Sequence, residues 1–368
     1  MSETVDRIRT VVRQCDSGVF WHAPTTPEQD FAELARACRT LEIEAHDVYG
    51  DGGPVERLEH EVAELFGKPA AVFFPSGVMA QQSVLRVWCE RSGSFRVAIP
   101  DLSHLLVHED DGPRLLHGFR FEHLTVGPHV ATAEDVTRLG AGLGAVLVEL
   151  PLREAGYLLP TWDQLVELSA ATRAAGVPLH ADGARIWESQ PHLGHSLAEV
   201  AELVDSMYVS FYKGLGGLAG ACLVGPDDVM AAVRVWRRRM GGTLFHLSPY
   251  AISALVGLRE GLPRMASYVD WAQQLGAALV EQGFRVQPSP PHTNSFQVHV
   301  DGDAEQLNRV LLDHLELSHD ALWPAWRAST TPGWSWTELV VHARALGRDP
   351  VEVARVAAEL FLRSSDGG

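Results

Sequence analysis

Three charged side chains follow two apolar segments of the sequence, at a spacing that suits a single site. Asp182 and Arg185 come after the apolar residues 177–179, and Lys213 comes two residues after the run 207–211, beside Tyr212. Because the carboxyl ends of parallel strands meet at one edge of a sheet, we expect all three side chains to line one cleft at that edge.

Lys213 has the setting of a reactive amine. It is followed by four glycines in the next seven residues, so a planar ligand could approach it with little obstruction. Partial burial would lower the pKa of the amine and make it a nucleophile that forms a Schiff base. The alternative is a solvated lysine beside a flexible loop. The residues 214–219 also fit a GxGxxA dinucleotide pattern, but a strand-like sequence follows where that pattern requires a helix, so we reject a dinucleotide site.

Asp182 and Arg185 each allow two interpretations. An acid at a strand end can hold a protonated ring nitrogen, which makes a pyridine cofactor an electron sink. Asp182 could equally cap the helix that follows it. Arg185 offers a planar fork that suits a substrate carboxylate, and a structural salt bridge is the competing use. The residues alone leave these alternatives open.

An anion site is predicted at a second strand end. The apolar residues 70–74 end before Ser76 and Gly77, and a helical pattern follows. The first backbone N–H groups of that helix would point at a bound anion.

The elements that must position these residues predict an α/β protein. Strand-like and helical segments alternate from residue 95, as in a mostly parallel sheet with helices on both faces. A long helical run covers 248–283, and the remainder has an α+β pattern. We therefore predict an N-terminal arm over 1–45, a large α/β domain over 46–262 and a smaller C-terminal α+β domain over 263–368.

Composition and charge exclude several classes of function. The net charge of −17 over 368 residues argues against nucleic-acid or anionic-membrane partners. The four cysteines are scattered, which favours a reduced, cytoplasmic setting, and neither a secretory segment nor an 18-residue apolar span is visible. The histidine pairs at 104/108 and 192/195 lack a third ligand, so no metal site is predicted.

Several motifs together resemble a known family. These are the residues 48–68, 73–82, 104–112, 179–187, 212–225 and 235–242, in this order. In order and spacing they are similar to the threonine aldolase and β-eliminating lyase family, which consists of fold-type-I enzymes that use pyridoxal 5′-phosphate. The resemblance is continuous over about residues 46–260 and weakens over the C-terminal third.

The resemblance implies a role for each matching residue. Lys213 would bind the cofactor covalently, Asp182 would pair with its ring nitrogen, and Arg185 would bind the substrate carboxylate. His104 would stack on the cofactor ring and assist proton transfer. The other implied contacts are the phosphate site, Ser76, Gly77 and Val78, and the substrate-lining residues Tyr49, Glu149 and Glu154.

The sequence departs from the family pattern in ways that concern the substrate. Typical threonine aldolases carry a histidine three residues after the position of Glu149, where this chain has Leu152. An arginine of the family's small domain is replaced by Glu338, and one near the phosphate by Phe245. The chain therefore resembles a divergent branch of the family. The resemblance supports the fold and the cofactor more strongly than it supports the substrate.

The resemblance predicts cleavage of a β-hydroxy-α-amino acid to glycine and an aldehyde. One alternative is a reaction with the same cofactor in which a β-substituent is eliminated from the amino acid, giving a keto acid and ammonia. A second alternative is a pyridoxal-phosphate-binding protein without turnover. Family members are homodimers or homotetramers with small amino acid substrates, and we expect the same here. The identity and stereochemistry of the substrate stay open, as does the residue that replaces the histidine near Leu152.

Overall fold

The computed structural model describes residues 3–362 and divides into two compact units. The larger unit is Pro27–Pro263, and the smaller one contains the described residues before Pro27 and after Pro263. The predicted limits 1–45, 46–262 and 263–368 stay a prediction about folding domains.

The helices and strands have the following bounds. The α-helices are α1 (Glu3–Val12), α2 (Pro27–Thr40), α3 (Gly53–Leu65), α4 (Gly77–Ser92), α5 (His104–Val107), α6 (Gly112–His117), α7 (Ala133–Leu139), α8 (Trp162–Ala174), α9 (Ile186–Leu193), α10 (Leu197–Glu202), α11 (Asp227–Arg239), α12 (Ser248–Val256), α13 (Met265–Gln282), α14 (Ala304–Ser318) and α15 (Pro350–Phe361). The strands are β1 (Ser17–Gly18), β2 (Ala70–Phe74), β3 (Arg96–Ile99), β4 (Arg120–His123), β5 (Ala145–Glu149), β6 (Leu179–Gly183), β7 (Ser206–Ser210), β8 (Ala221–Gly225), β9 (Arg285–Gln287), β10 (Ser295–Asp301), β11 (Asp320–Ala321), β12 (Arg327–Ala328) and β13 (Trp334–Val340).

The larger unit is built on a seven-stranded sheet in the order β2-β8-β7-β6-β5-β3-β4. The five strands from β7 to β4 are parallel to one another, and β8 runs antiparallel to both of its neighbours. Strands β5, β6, β7 and β8 are buried along their whole length, and β5 and β8 have the nearly continuous apolar sequences that burial on both faces favours. The predicted mostly parallel α/β sheet is confirmed.

Helices cover both faces of this sheet. Alternate residues of a strand point to opposite faces, and β2 shows both environments. Val72 and Phe74 join a core with apolar residues of α4 and α11. Phe73 lies on the other face, where its ring is 6.2 Å from that of Phe211, which in turn contacts Trp187 of α9.

The helical run predicted over 248–283 has an irregular middle. After α12 the backbone forms a π-helical segment, Gly257–Gly261, and a 3₁₀ turn, Leu262–Arg264, before α13 begins. Gly257 lets the glycine-rich loop after β7 approach closely, because a Cβ at this position would lie 2.8 Å from the carbonyl oxygen of Leu215. The end of α12 therefore supports the loop that follows Lys213.

The smaller unit contains a four-stranded antiparallel sheet in the order β12-β13-β10-β9 and a short parallel pair of β1 with β11. Its core includes Trp323 and Trp326, which are buried and contact the ring of Phe361 of α15. Among residues 3–362, none of the helices is long and apolar enough to cross a membrane.

Candidate active site

The carboxyl edge of the large sheet brings together the charged residues predicted from the sequence. Glu149 ends β5, and it is the register partner of Asp182 near the end of β6. Lys213 lies three residues beyond the end of β7, the next strand along the sheet. The expected cleft edge with an acid and a lysine is therefore present, and Glu149 adds a second acid to it.

Asp182 is held as a buried hydrogen-bond acceptor. Its Oδ2 accepts a bond from Nε2 of Gln81 at 2.6 Å, and its Oδ1 accepts a bond from the backbone N–H of Ala184 at 2.9 Å. The N-cap of α9 is Arg185 and not Asp182, so the capping alternative does not apply. Gln81 lies on α4, one turn after the predicted anion site, and sequence patterns gave no signal that it would reach Asp182.

Arg185 is buried beside an aromatic ring. Its guanidinium carbon lies 5.1 Å from the ring centroid of Tyr157, a cation–π distance. Within residues 3–362 no carboxylate lies at ion-pair distance from Arg185, which excludes the structural salt bridge considered for it. A buried guanidinium in this setting can bind the carboxylate of a ligand.

The surroundings of Lys213 favour its neutral form. Burial is the main reason that the pKa of Lys213 falls from 10.5 to about 8, and the positive charge of Arg185 lowers it further. The carboxylates of Asp182 and Glu149 oppose this shift. The chain has one other lysine, Lys68, whose Nζ donates to the carbonyl oxygen of Val204 at 2.7 Å.

Glu149 fixes the start of the short helix α5. Its Oε1 accepts bonds from the hydroxyl of Ser103 at 2.7 Å and from the backbone N–H of His104 at 2.6 Å. Burial, followed by the negative charge of Asp182, raises the pKa of Glu149 to about 8. One carboxyl group thus positions His104 at this edge of the sheet and can carry a proton at neutral pH.

His104 is a neutral imidazole at physiological pH. Burial and the positive charge of Lys213 lower its pKa to about 4. Its Nε2 lies 2.8 Å from Oε1 of Glu109, a residue that sequence patterns did not single out. A neutral ring with one nitrogen already bonded suits the predicted stacking role, because it adds no positive charge beside Lys213.

The first turn of α4 forms a cradle around the predicted anion site. Ser76 is the N-cap in extended backbone conformation, and its hydroxyl makes no capping bond. Gly77 leaves room that a side chain would fill, because a Cβ here would lie 2.2 Å from the hydroxyl oxygen of Tyr208. With Val78, these residues present the N–H end of the helix to a ligand.

Glu188 is a buried carboxyl group that sequence patterns missed. It is 1% exposed, and its Oε1 would lie 2.1 Å from a Cβ placed on Gly214, the residue after Lys213. Burial raises the pKa of Glu188 to about 6, and the positive charge of Arg185 opposes this shift. The absence of a side chain at Gly214 therefore allows the carboxyl group of Glu188 to pack against the backbone.

Two predicted substrate-lining residues lie in different surroundings. Glu154 joins the edge cluster, with its Oε1 2.9 Å from Nε2 of His108 and 3.1 Å from Nη1 of Arg153. Tyr49 has a positive φ of 54° and packs its exposed ring against Phe245 at 5.3 Å. Its backbone N–H also donates to the carbonyl oxygen of Phe245, at 3.0 Å. The role of Tyr49 at the substrate stays a prediction.

The arrangement fits pyridoxal 5′-phosphate. The ring nitrogen needs a buried acceptor, which Asp182 supplies, and the phosphate needs N–H donors without side-chain obstruction, which the turn at Gly77 supplies. The carbonyl group of the cofactor needs an amine that can lose its proton near neutral pH, and the lowered pKa of Lys213 meets this need. No group of three metal-ligating side chains occurs among the described residues.

The fold is fold type I of the pyridoxal-phosphate enzymes. A threonine aldolase from Leishmania major superposes on this chain with a TM-score of 0.70 over 95% of this chain and 99% of that one, at 18% identity. At this identity the match concerns the fold alone.

More similar proteins give the family. The family model of the β-eliminating lyases matches residues 32–303. Low-specificity L-threonine aldolase 1 of Arabidopsis thaliana is 27% identical over 73% of this chain and 78% of its own length. A solved protein of Listeria monocytogenes EGD-E, assigned as an L-allo-threonine aldolase, has a TM-score of 0.90 at 32% identity, covering 97% of this chain and 99% of that one. The chain belongs to the β-eliminating lyase family and is a lyase that uses pyridoxal 5′-phosphate.

Proposed function

We propose that this enzyme cleaves the Cα–Cβ bond of a β-hydroxy-α-amino acid and releases glycine and an aldehyde. The named relatives that it resembles are threonine aldolases, which supports this reaction. The observation that carries the proposal is the edge of the large sheet, where a lysine with a pKa of about 8 lies with a buried acid and a buried arginine. A binding protein would have no need of this combination.

Each residue of the edge receives a task in this proposal. Asp182, His104 and the turn of Ser76, Gly77 and Val78 hold the cofactor, which supplies a sink for the electron pair left at Cα when it is bound. Arg185 binds the substrate carboxylate through its two parallel N–H groups.

The amine of Lys213 would bind the cofactor covalently, and as a free amine it can hold or deliver a proton at Nζ. Its pKa of about 8 suits both uses near neutral pH. Glu149 and Glu154 line the substrate side, and Glu149 also orients His104.

The test is a product analysis over a panel of β-hydroxy-α-amino acids. We expect glycine and the matching aldehyde from the wild-type enzyme, and a Lys213→Ala variant to lose this activity. The matched control is Lys68→Arg, which changes the other lysine and should retain activity. Failure of the wild-type enzyme to form glycine, while it visibly contains its cofactor, would refute the proposed cleavage.

A second candidate, elimination of a β-substituent, is favoured by one observation. Leu152 is apolar and buried at the position where threonine aldolases carry a histidine, so it cannot handle a β-hydroxyl proton. Elimination from a serine- or cysteine-type substrate would give a keto acid and ammonia instead of glycine. The same product analysis separates the two reactions.

We further propose a cytoplasmic homodimer or homotetramer. Tyr49 and Phe245 are 52% and 58% exposed and in contact with each other, and a second copy that covers them would bury apolar surface. The mass measured by light scattering at several concentrations tests this, and a monomer would contradict it. Four free cysteines support a reducing compartment, which cell fractionation tests.

A further inference from the structure

The proposed cleavage requires a group that takes the proton of the β-hydroxyl, and most edge residues are already engaged. Asp182 accepts bonds from Gln81 and Ala184, and Glu149 accepts bonds from Ser103 and His104. Besides Lys213, which is assigned to the cofactor, and the buried Glu188, this edge has two histidine–carboxylate pairs. The assignment of a base among these pairs rests on the proposed function, because cleavage of the Cα–Cβ bond requires removal of the β-hydroxyl proton.

The two pairs lie side by side on α5 and the residues that follow it. Nε2 of His104 is 2.8 Å from Oε1 of Glu109, and Nε2 of His108 is 2.9 Å from Oε1 of Glu154. The ring centroids of the two histidines are 5.0 Å apart. Either imidazole could in principle accept a proton at its Nδ1, because the carboxylate bonded to Nε2 holds the proton of the neutral ring there.

His104 is poorly suited to be the base. It is the more buried of the two rings, and Lys213 and His108 both disfavour a positive charge on it, so its pKa is about 4. A base works best when its pKa is near the working pH.

His108 is connected to the predicted carboxylate site by a chain of contacts. The guanidinium of Arg185 lies over the ring of Tyr157 at 5.1 Å, and Nε of Arg153 lies 3.3 Å from the hydroxyl oxygen of Tyr157. Nη1 of Arg153 then lies 3.1 Å from Glu154, the partner of His108. His108 also lies beside the predicted stacking residue, because its ring centroid is 5.0 Å from that of His104.

We propose that His108 is the catalytic base for the β-hydroxyl group and that Glu154 is its positioning residue. Nδ1 of His108 takes the hydroxyl proton, the O–H bonding pair becomes the second bond of the aldehyde carbonyl, and the Cα–Cβ bond breaks. The electron pair of the broken Cα–Cβ bond stays on Cα of the glycine fragment, and this carbon later takes one proton. His108 gives its proton to solvent, so no other reactant is needed.

The first test compares His108→Gln with the wild-type holoenzyme in two reactions. Cleavage of a β-hydroxy-α-amino acid needs the base, whereas exchange of the Cα protons of glycine in D₂O does not. We expect kcat for cleavage to fall by about 100- to 10,000-fold, with glycine exchange within about 3-fold of wild type. The matched control is His195→Gln, which removes a surface histidine at 3.5 Å from a carboxylate, Glu199, and should change neither rate.

The second test is spectroscopic and does not depend on turnover. In ¹⁵N-histidine-labelled holoenzyme, the signal missing from His108→Gln identifies His108 among the 17 histidines. We expect this ring to carry its proton on Nε2 in the wild-type enzyme and to become a mixture of tautomers in Glu154→Ala. That variant should also lose about 10- to 100-fold in kcat for cleavage.

Three results would overturn this assignment. Cleavage by His108→Gln within about 3-fold of wild type, or an equal fall of cleavage and glycine exchange, would show that His108 is not the base. A wild-type ring protonated at Nδ1 would show that Glu154 does not orient it. A wild-type enzyme that forms no glycine from any β-hydroxy-α-amino acid would instead refute the proposed function, and the assignment of His108 with it.

Discussion

The pKa of Lys213 leads to a prediction about its chemical reactivity in the cofactor-free protein. An ordinary lysine with a pKa of 10.5 is neutral in about 1 of 3,000 molecules at pH 7. With a pKa of about 8, Lys213 is neutral in about 1 of 10, so its amine should be about 300-fold more available as a nucleophile. The shift lowers the pKa of a cation, so reactivity should rise with pH and level off above about 8.

The assay is competitive acetylation over a range of pH, followed by mass spectrometry of the two lysine-containing peptides. Lys213 should be acetylated with an apparent pKa of about 8, and Lys68 serves as the internal reference. Arg185→Leu should raise the apparent pKa of Lys213, because the charge of Arg185 is the largest electrostatic cause of its depression after burial. Glu149→Gln should lower it further, because Glu149 opposes the depression.

Two outcomes would contradict this prediction. If acetylation of Lys213 kept rising up to pH 10 in the wild-type protein, the pKa of the lysine would not be depressed. If Arg185→Leu left the pH profile of acetylation unchanged, the charge of Arg185 would not be a cause of the lowered pKa of Lys213, and burial would remain as its cause.

Other changes test the surroundings of the site. Folding raises the pKa of Glu149 from 4.5 to about 8, so ionisation of Glu149 should cost stability as the pH rises through this window. The melting temperature of Glu149→Gln should therefore rise relative to that of the wild type between pH 5 and pH 8. A difference in melting temperature that stays constant over this range would contradict the prediction. Gly77→Ala should lose about 1 to 3 kcal/mol and bind pyridoxal 5′-phosphate more weakly, since its Cβ would lie 2.2 Å from the hydroxyl of Tyr208; an unchanged dissociation constant would exclude the cradle. Glu59→Gln should lose about 1 to 3 kcal/mol in urea unfolding, because it removes the ion pair with Arg234 at 2.5 Å, although Arg234 is 40% exposed and burial raises the pKa of Glu59. A loss below about 1 kcal/mol would show that the pair contributes little.

The fold and the cofactor could be predicted because their signals are local in the chain. The buried strands β5 and β8 have nearly continuous apolar sequences, and the α/β alternation follows from the spacing of the strands and helices. Asp182 lies near the end of β6, and Arg185 and Lys213 follow β6 and β7 within three residues, so the edge of the sheet brought them together as expected. The length of each element was less predictable, as the irregular segment between α12 and α13 shows.

The sequence by itself therefore determined the fold class, the family and the residue types that are predicted to hold the cofactor. Only the tertiary structure decided what each of them is bonded to. Gln81 reaches Asp182 across 101 residues, and Ser103 reaches Glu149 across 46. The contact between Glu154 and His108, on which our assignment of the base depends, also spans 46 residues. Such contacts leave no periodic trace in the sequence, and the pKa values of buried groups depend on them, because burial and neighbouring charge exist only in the folded chain.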